Sequence, residues 1–338
     1  MHEIALAGGR AAWRGRLGTG TPAVRQAPDA GRALQLALAV VWLLDAVLQY
    51  QSSMYTTAFG ESLGKTADGN PGIIARPINW DATLVEHHVV VLNTIFATIQ
   101  LLLGLGIAFR PTVRLALGAS VAWSVGVWWF GEGLGGVLNG GASPFNGAPG
   151  GVILYALLAV LLWPTDRGGA PVPFIAARAV GARAARVLWL VLWLSLAYFA
   201  LEPANRAPQA LHDLLSGQES GEPGWLAAIE KGAAALVANQ GLAASIVLAA
   251  VLTLVAVGVY LPATFVGAAL VLALVVSAVI WVVGEACGMV LAGGATDPNS
   301  GPLLALLALA YWPARGTISS ATGPGHPHPS GEEGTTGR

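Results

Sequence analysis

The residues with the chemistry to do something are few, and they sit where charge is expensive. Asp45 lies in WLLDAVLQ, inside the first long apolar run. A carboxylate within hydrocarbon costs about 2.5 to 3.5 kcal/mol on insertion scales, so it asks for a partner or a purpose. Glu132 and Glu285 each follow a glycine at the end of an apolar run, in FGEGLGG and VGEACGM. Two readings stand for them: a carboxylate lining an outward cavity, or a Glu that caps its own loop, and the second is preferred. The glycines after Glu132 allow positive φ and close backbone approach, so that loop can fold back into the protein. His87 and His88 open the second apolar run, with Asp81 and Glu86 before them. With Asp45, Glu61 and Glu132 they form a candidate set for relaying protons or holding a divalent metal. Neighbouring helical residues point about 100° apart, which weakens His87 and His88 as joint metal ligands, and solvated interfacial histidines are the plainer alternative. Asn93 and Gln100, seven apart, share a helix face and read as interhelical glue.

The elements that must position these side chains are membrane spans. Of 338 residues, 55% are apolar and 10% charged, against roughly 25% charged in soluble domains. Apolar runs at 33–50, 88–109, 113–130, 149–163, 187–201, 242–261, 264–283 and 302–312 approach the roughly 20 residues that cross a bilayer. They are continuous rather than alternating, which favours helices over a barrel. The run at 302–312 is short and must thin the bilayer or stop part-way. A net charge of −1 gives no reason to expect nucleic acid, and the single cysteine, Cys287, excludes an intramolecular disulfide or a CxxC centre.

An internal repeat organises the chain. Residues 128–141 read WWFGEGLGGVLNGG and residues 281–294 read WVVGEACGMVLAGG. Each is followed by a Pro/Asn/Gly loop and an apolar run ending in Trp-Pro (Trp163, Trp312). Further upstream, Trp42 matches Trp193, and Asp45 matches Leu196. The expectation is an all-α integral membrane protein of eight transmembrane helices. They form two tandem four-helix repeats related by a pseudo-twofold axis along the membrane normal. The divisions are a basic cytoplasmic tail (1–32), a first unit (33–164), a cytoplasmic linker (165–186), a second unit (187–313) and a disordered cytoplasmic tail (314–338). Thirteen of the 17 Lys and Arg residues fall in the segments this places inside. The outer segments keep Lys65, Arg76, Arg206 and Lys231. Both termini are therefore expected on the cytoplasmic side of a multi-pass protein of the plasma membrane. Outer connections at 51–87 and 202–241 separate the first and second spans of each unit.

Over ALAVVWLLDAVLQYQSSMYTTAF, IQLLLGLGIAFRPTVRLAL and VWWFGEGLGGVLNGGASPFNGAPGGVILYALLAVLLWP, the chain resembles a family of actinobacterial polytopic membrane proteins with no assigned activity. In span order and the short basic turn FRPTVR, each half also resembles the four-helix DoxX family. That second resemblance implies an accessory subunit of a quinone-linked redox or stress system, with quinone as the cofactor. Beside it stand two other readings: a small-solute or ion transporter with a pathway between the repeats, and a non-catalytic membrane assembly protein. The reading leans away from an enzyme. Partners implied are the lipid bilayer and a membrane protein or a second copy of the chain.

Overall fold

The computed structural model describes residues 29–165, 172–217 and 221–313. Most of the expected N-terminal tail, part of the linker and the C-terminal tail fall outside these. Among the described residues the regular elements are helices, in the order α1 (Ala30–Gln49), α2 (Thr57–Lys65), α3 (Gly72–Ala108), α4 (Val113–Phe130), α5 (Gly151–Leu161), α6 (Ala177–Val180), α7 (Ala182–Ala200), α8 (Ala210–Ser216), α9 (Gly224–Val237), α10 (Gly241–Gly258), α11 (Ala263–Val279) and α12 (Ser300–Ala310). Six segments are long and apolar enough to cross a membrane: Ala30–Gln49, Gly72–Ala108, Arg110–Phe130, Ala182–Ala200, Gly241–Gly258 and Thr264–Gly284.

The remaining two apolar helices, α5 and α12, have 11 residues each. At 1.5 Å per residue they rise roughly 16 Å, about half of a hydrocarbon core. The sequence led us to expect this shortness only at 302–312, yet the segment expected at 149–163 is equally short. In both, loop residues replace the missing helical turns. Non-helical backbone at such depth is tolerated only where protein covers it. The two short helices accordingly lie against each other near the middle of the bundle. Leu154, Leu158 and Leu161 of α5 and Leu303, Leu304 and Leu307 of α12 are fully buried. The long helices instead leave one flank open, as with Val40 and Val47 of α1, Leu115 of α4 and Val191 of α7. Apolar side chains exposed at helical spacing suit lipid rather than water.

The long connections expected on the outer side are not loops. Residues 57–87 fold as α2 and the first four turns of α3, whose backbone departs from helical geometry at His88 (φ −130°, ψ 31°). The expected start of the second span is thus a kink within one 37-residue helix. In the second half the corresponding stretch is broken outright, α9 ending before Asn239 (φ 60°) and α10 starting at Gly241. The chain packs closely at this break: a Cβ at Gly241 would run into the Ala207 carbonyl, and the Gly241 N–H donates to Pro208 O at 3.2 Å.

At the opposite end of the bundle the chain closes its helix termini with side chains. Arg32 donates to the carbonyls of Ile107 and Ala108 at the end of α3. Gln35 donates to Leu162 O at the end of α5, at 2.8 Å. The Tyr311 hydroxyl donates to Ala185 O on α7. The carbonyls that Arg32 and Gln35 answer would otherwise be orphans at helix C-termini.

Candidate functional site

The two Gly-Glu motifs fold alike and do the same local job. Trp128 Nε1 donates to Pro149 O at 2.6 Å, and Trp281 Nε1 donates to Pro298 O at 2.9 Å. Each indole ties the end of a long helix to the residue just before a short one. Glu132 then accepts the Val152 N–H at 3.0 Å, and Glu285 accepts the N–H groups of Ser300 and Gly301 at 3.2 and 3.0 Å, with the Ser300 hydroxyl as a further donor. A carboxylate at a helix N-terminus answers both the unpaired N–H groups and the positive end of the dipole. Each Glu therefore caps the next helix across the glycine loop, rather than its own loop.

Burial pushes the Glu132 carboxyl up to about 8, with the Asp297 carboxylate adding to the shift and the Val152 N–H partly offsetting it. Burial likewise lifts Glu285 to about 7, against the hydrogen bonds from Ser300 and Gly301. Because the folded carboxyls hold protons more tightly than an unfolded chain does, stability is full below the ordinary range near 4.5 and is lost as pH rises toward about 8. Thermal melting of the purified protein should give a lower midpoint at pH 8.5 than at pH 5, and the double substitution Glu132→Gln with Glu285→Gln should flatten that slope. A midpoint that rises across this interval would contradict the assignment.

The halves differ in what surrounds these caps. In the first, a cavity of about 310 Å³ opens between α1, α3, α4 and α5. Asp45, Asp81, Glu132 and Asp297 line it, together with Gln49, Gln100 and Tyr155. Its apolar walls include Trp42, Phe59, Phe96, Trp123 and Phe130. Lysine, arginine and histidine are missing from the lining. Packing fixes the walls: Trp42 donates to Ser120 Oγ at 3.1 Å and sits 4.3 Å from the Tyr155 ring, and Phe96 lies 5.7 Å from Trp123.

Several polar atoms in this cavity are buried without a hydrogen-bond partner: Asp45 Oδ1, Gln100 Oε1, Trp123 Nε1, Glu132 Oε2 and the Tyr155 hydroxyl. Asp45 is 2% exposed and Tyr155 1%. The Tyr155 hydroxyl faces the Asp45 carboxyl, but no hydrogen bond of good geometry closes between them. Buried polar groups in native proteins are nearly all paired. Five orphans around one hollow mark a place built to receive something.

Asp297 comes from the other half of the chain. Its loop, residues 295–299, crosses to the first unit, where Gln51 Nε2 donates to Ala295 O at 3.1 Å and Ser53 Oγ to Gly293 O at 3.2 Å. The loop of the first half crosses the other way, with Asn205 Nδ2 donating to Ala142 O at 2.8 Å. Asp297 holds its place through the Asn299 N–H (2.7 Å) and the Thr296 hydroxyl (2.9 Å). Burial raises its carboxyl above the ordinary range. A second hollow of about 430 Å³, lined by glycines of both loops and by Lys65, Asn139 and Asn299, shares Gly131, Glu132, Thr296 and Asp297 with the first. Glu132 and Asp297 thus stand between an outer vestibule and the inner cavity.

Of the residues singled out by sequence, Asp45, Asp81 and Glu132 meet in the cavity. Glu285 is buried at its own helix cap and does not line it. Glu61, His87 and His88 are exposed and stay outside it, His87 Nδ1 lying 2.7 Å from Thr83 O. Among the described residues no group of three or more His, Cys, Asp or Glu side chains is placed to hold a metal ion, so the divalent-metal site at His87 and His88 has no geometric support. Asn93 is glue, as expected, exchanging hydrogen bonds with Gln49 at 2.5 and 2.9 Å. Gln100, expected to be glue, instead turns its carbonyl into the cavity. Sequence reasoning missed Asp297, Tyr155 and Trp123. The one signal for Asp297 was an acidic residue in a loop where the first repeat carries Pro144. Compared with protein-family models, curated proteins and solved structures, the chain matches none, and its function rests on this geometry.

Proposed function

We propose that the chain is a membrane carrier for a small solute or ion, whose cargo enters by the glycine-lined vestibule and rests among the carboxylates of the first unit. The observation that carries this reading is the set of unpartnered polar atoms in the cavity of about 310 Å³, acidic and without a basic side chain. The vestibule sharing Glu132 and Asp297 with it supplies the route. The architecture in this reading is eight membrane segments, as two four-segment units with a pseudo-twofold axis along the normal. It is supported by the paired Trp and Glu hydrogen bonds and by the equal lengths of α5 and α12. In the same reading both termini lie on the cytoplasmic face of a plasma membrane, supported by the 13 of 17 Lys and Arg residues that fall in the segments assigned to that side.

A second reading is the DoxX-like accessory subunit of a quinone-linked redox system. The aromatic walls favour it, as do the free Trp123 N–H and Tyr155 hydroxyl, which suit a ring carbonyl. A purely structural assembly role, by contrast, gives the orphaned groups nothing to do.

Proteoliposomes loaded with a pH-sensitive dye separate these readings. In the carrier reading the cavity carboxyls exchange protons as the carrier cycles, so under a pH gradient the protein should carry protons above the rate of empty liposomes, and Asp45→Asn or Asp297→Asn should lower that flux by about tenfold or more. Flux untouched by both substitutions would overturn the carrier. Quinone extracted from the purified protein at near one per chain would move the conclusion to the second reading.

A further inference from the structure

We infer that the cargo of this cavity is an organic ammonium ion with a compact apolar body. This rests on the carrier reading and adds the charge and shape of the occupant. Four carboxyl side chains, Asp45, Asp81, Glu132 and Asp297, line the hollow with no cation among the lining residues to balance them. An anion would find no cationic side chain in the lining to balance it. A purely apolar guest would leave Asp45, 2% exposed and unpartnered at Oδ1, still without a partner.

A bare divalent ion fits no better. It needs a tight shell of oxygens, and among the described residues no three carboxylate, imidazole or thiol groups are close enough to provide one. The acids are instead spread around an aromatic lining of Trp42, Phe96, Trp123 and Tyr155. Aromatic residues and carboxyl groups around one hollow are the set of side chains that recognises alkylated ammonium groups, through cation–π attraction on the methyl-clad charge. The volume, about 310 Å³, is at the small end of ligand sites, which run from roughly 300 to 1,000 Å³. The free acceptors Gln100 Oε1 and Glu132 Oε2 can take hydrogen bonds from a hydroxyl or N–H on the same molecule.

Among the described residues the Asp45 arrangement has no second copy. Where the first unit carries Asp45, the second carries Leu196, which is itself fully buried. The neighbourhood of Glu285 is filled by its own helix cap.

Choline and its uncharged carbon isostere, in which carbon replaces the nitrogen, make the test. Binding to the full-length protein in nanodiscs is read by tryptophan fluorescence and calorimetry. Choline should saturate at one per chain, with the isostere weaker by about tenfold or more, the equivalent of about 1.4 kcal/mol. Asp45→Asn should abolish choline binding, Trp123→Leu should weaken it severalfold, and Glu61→Gln, outside the cavity, should leave it unchanged. Equal binding of choline and isostere, lost in Trp123→Leu, would overturn the ammonium inference and leave the cavity in place as a ligand site. If neither binds, the inference falls as well. The proton flux then decides the carrier reading: it stands if Asp45→Asn still lowers the flux and falls if it does not.

Discussion

Asp45→Leu is expected to make the protein more stable and, in the carrier reading, to abolish transport. The carboxyl is buried with Oδ1 unpartnered in a cavity whose lining includes Trp42, Phe96 and Trp123. Holding an unpaired ionisable group in such surroundings costs several kcal/mol if it stays charged, and exchanging buried ionic groups for apolar ones of similar volume is neutral or stabilising by about 1 to 4 kcal/mol in other systems. The second half supplies a natural control, since Leu196 takes the matching position on α7 and packs in the main core. A rise of several degrees in the melting midpoint is therefore expected in Asp45→Leu, with proton flux reduced to that of empty liposomes. Such a pairing is the signature of a residue kept for function against stability. A lower midpoint would mean that Asp45 is a structural group whose partner lies elsewhere.

The second large effect is expected at the two glycine loops. Gly135 has φ +63° and Gly288 φ +70°, and a Cβ on either would overlap backbone of the loop it faces, at Pro149 and Pro298 respectively. Those are the residues whose carbonyls accept the indoles of Trp128 and Trp281. Gly135→Val and Gly288→Val thus combine a left-handed backbone that branched residues resist, at about 1 to 2 kcal/mol, with a clash that no rotamer relieves. Each is expected to cost more than about 4 kcal/mol, in the exceptional range for single substitutions, and to leave little folded protein in detergent. Gly140→Ala is the contrast. Its φ is +78°, but nothing lies within 4 Å of the added carbon, so only the backbone penalty of roughly 1 kcal/mol remains. Similar yields of Gly135→Val and Gly140→Ala by size-exclusion chromatography would show that the close approach at Pro149 is not required.

How much of this was legible in the sequence follows from the kind of force involved. Burial in lipid is written in long apolar runs, so the spans at α1, α3, α4, α7, α10 and α11 could be located from composition alone. The Gly-Glu repeat likewise announced that Glu132 and Glu285 share a role, because the same backbone geometry demands the same glycines. Shortness of α5 was hidden: residues 149–163 carry no charge, and only the fold shows that four of them, Pro149, Gly150, Leu162 and Trp163, lie outside the helix. The helices α2, α8 and α9 were missed because polar and glycine-containing segments lying across a bundle end carry no clear span signal.

The site was half legible. Asp45 and Glu132 stood out through the energetic oddity of a charge in an apolar run. Asp297 did not, since an acid in a Pro/Asn loop is ordinary until the loop is seen to cross into the other half. His87 and His88 misled for the opposite reason: their residue type suggests chemistry, but the kink at His88 leaves both exposed, away from the carboxylates.

Whether residues from the two halves share one site can be measured by a double-mutant cycle on proton flux, using Asp45→Asn, Asp297→Asn and the pair together. If both carboxylates serve a single cavity, the double substitution should be no slower than the more damaging single one, a strong departure from additivity. Losses that simply multiply would mean that Asp297 acts apart from Asp45, and a composite site spanning both halves would be contradicted.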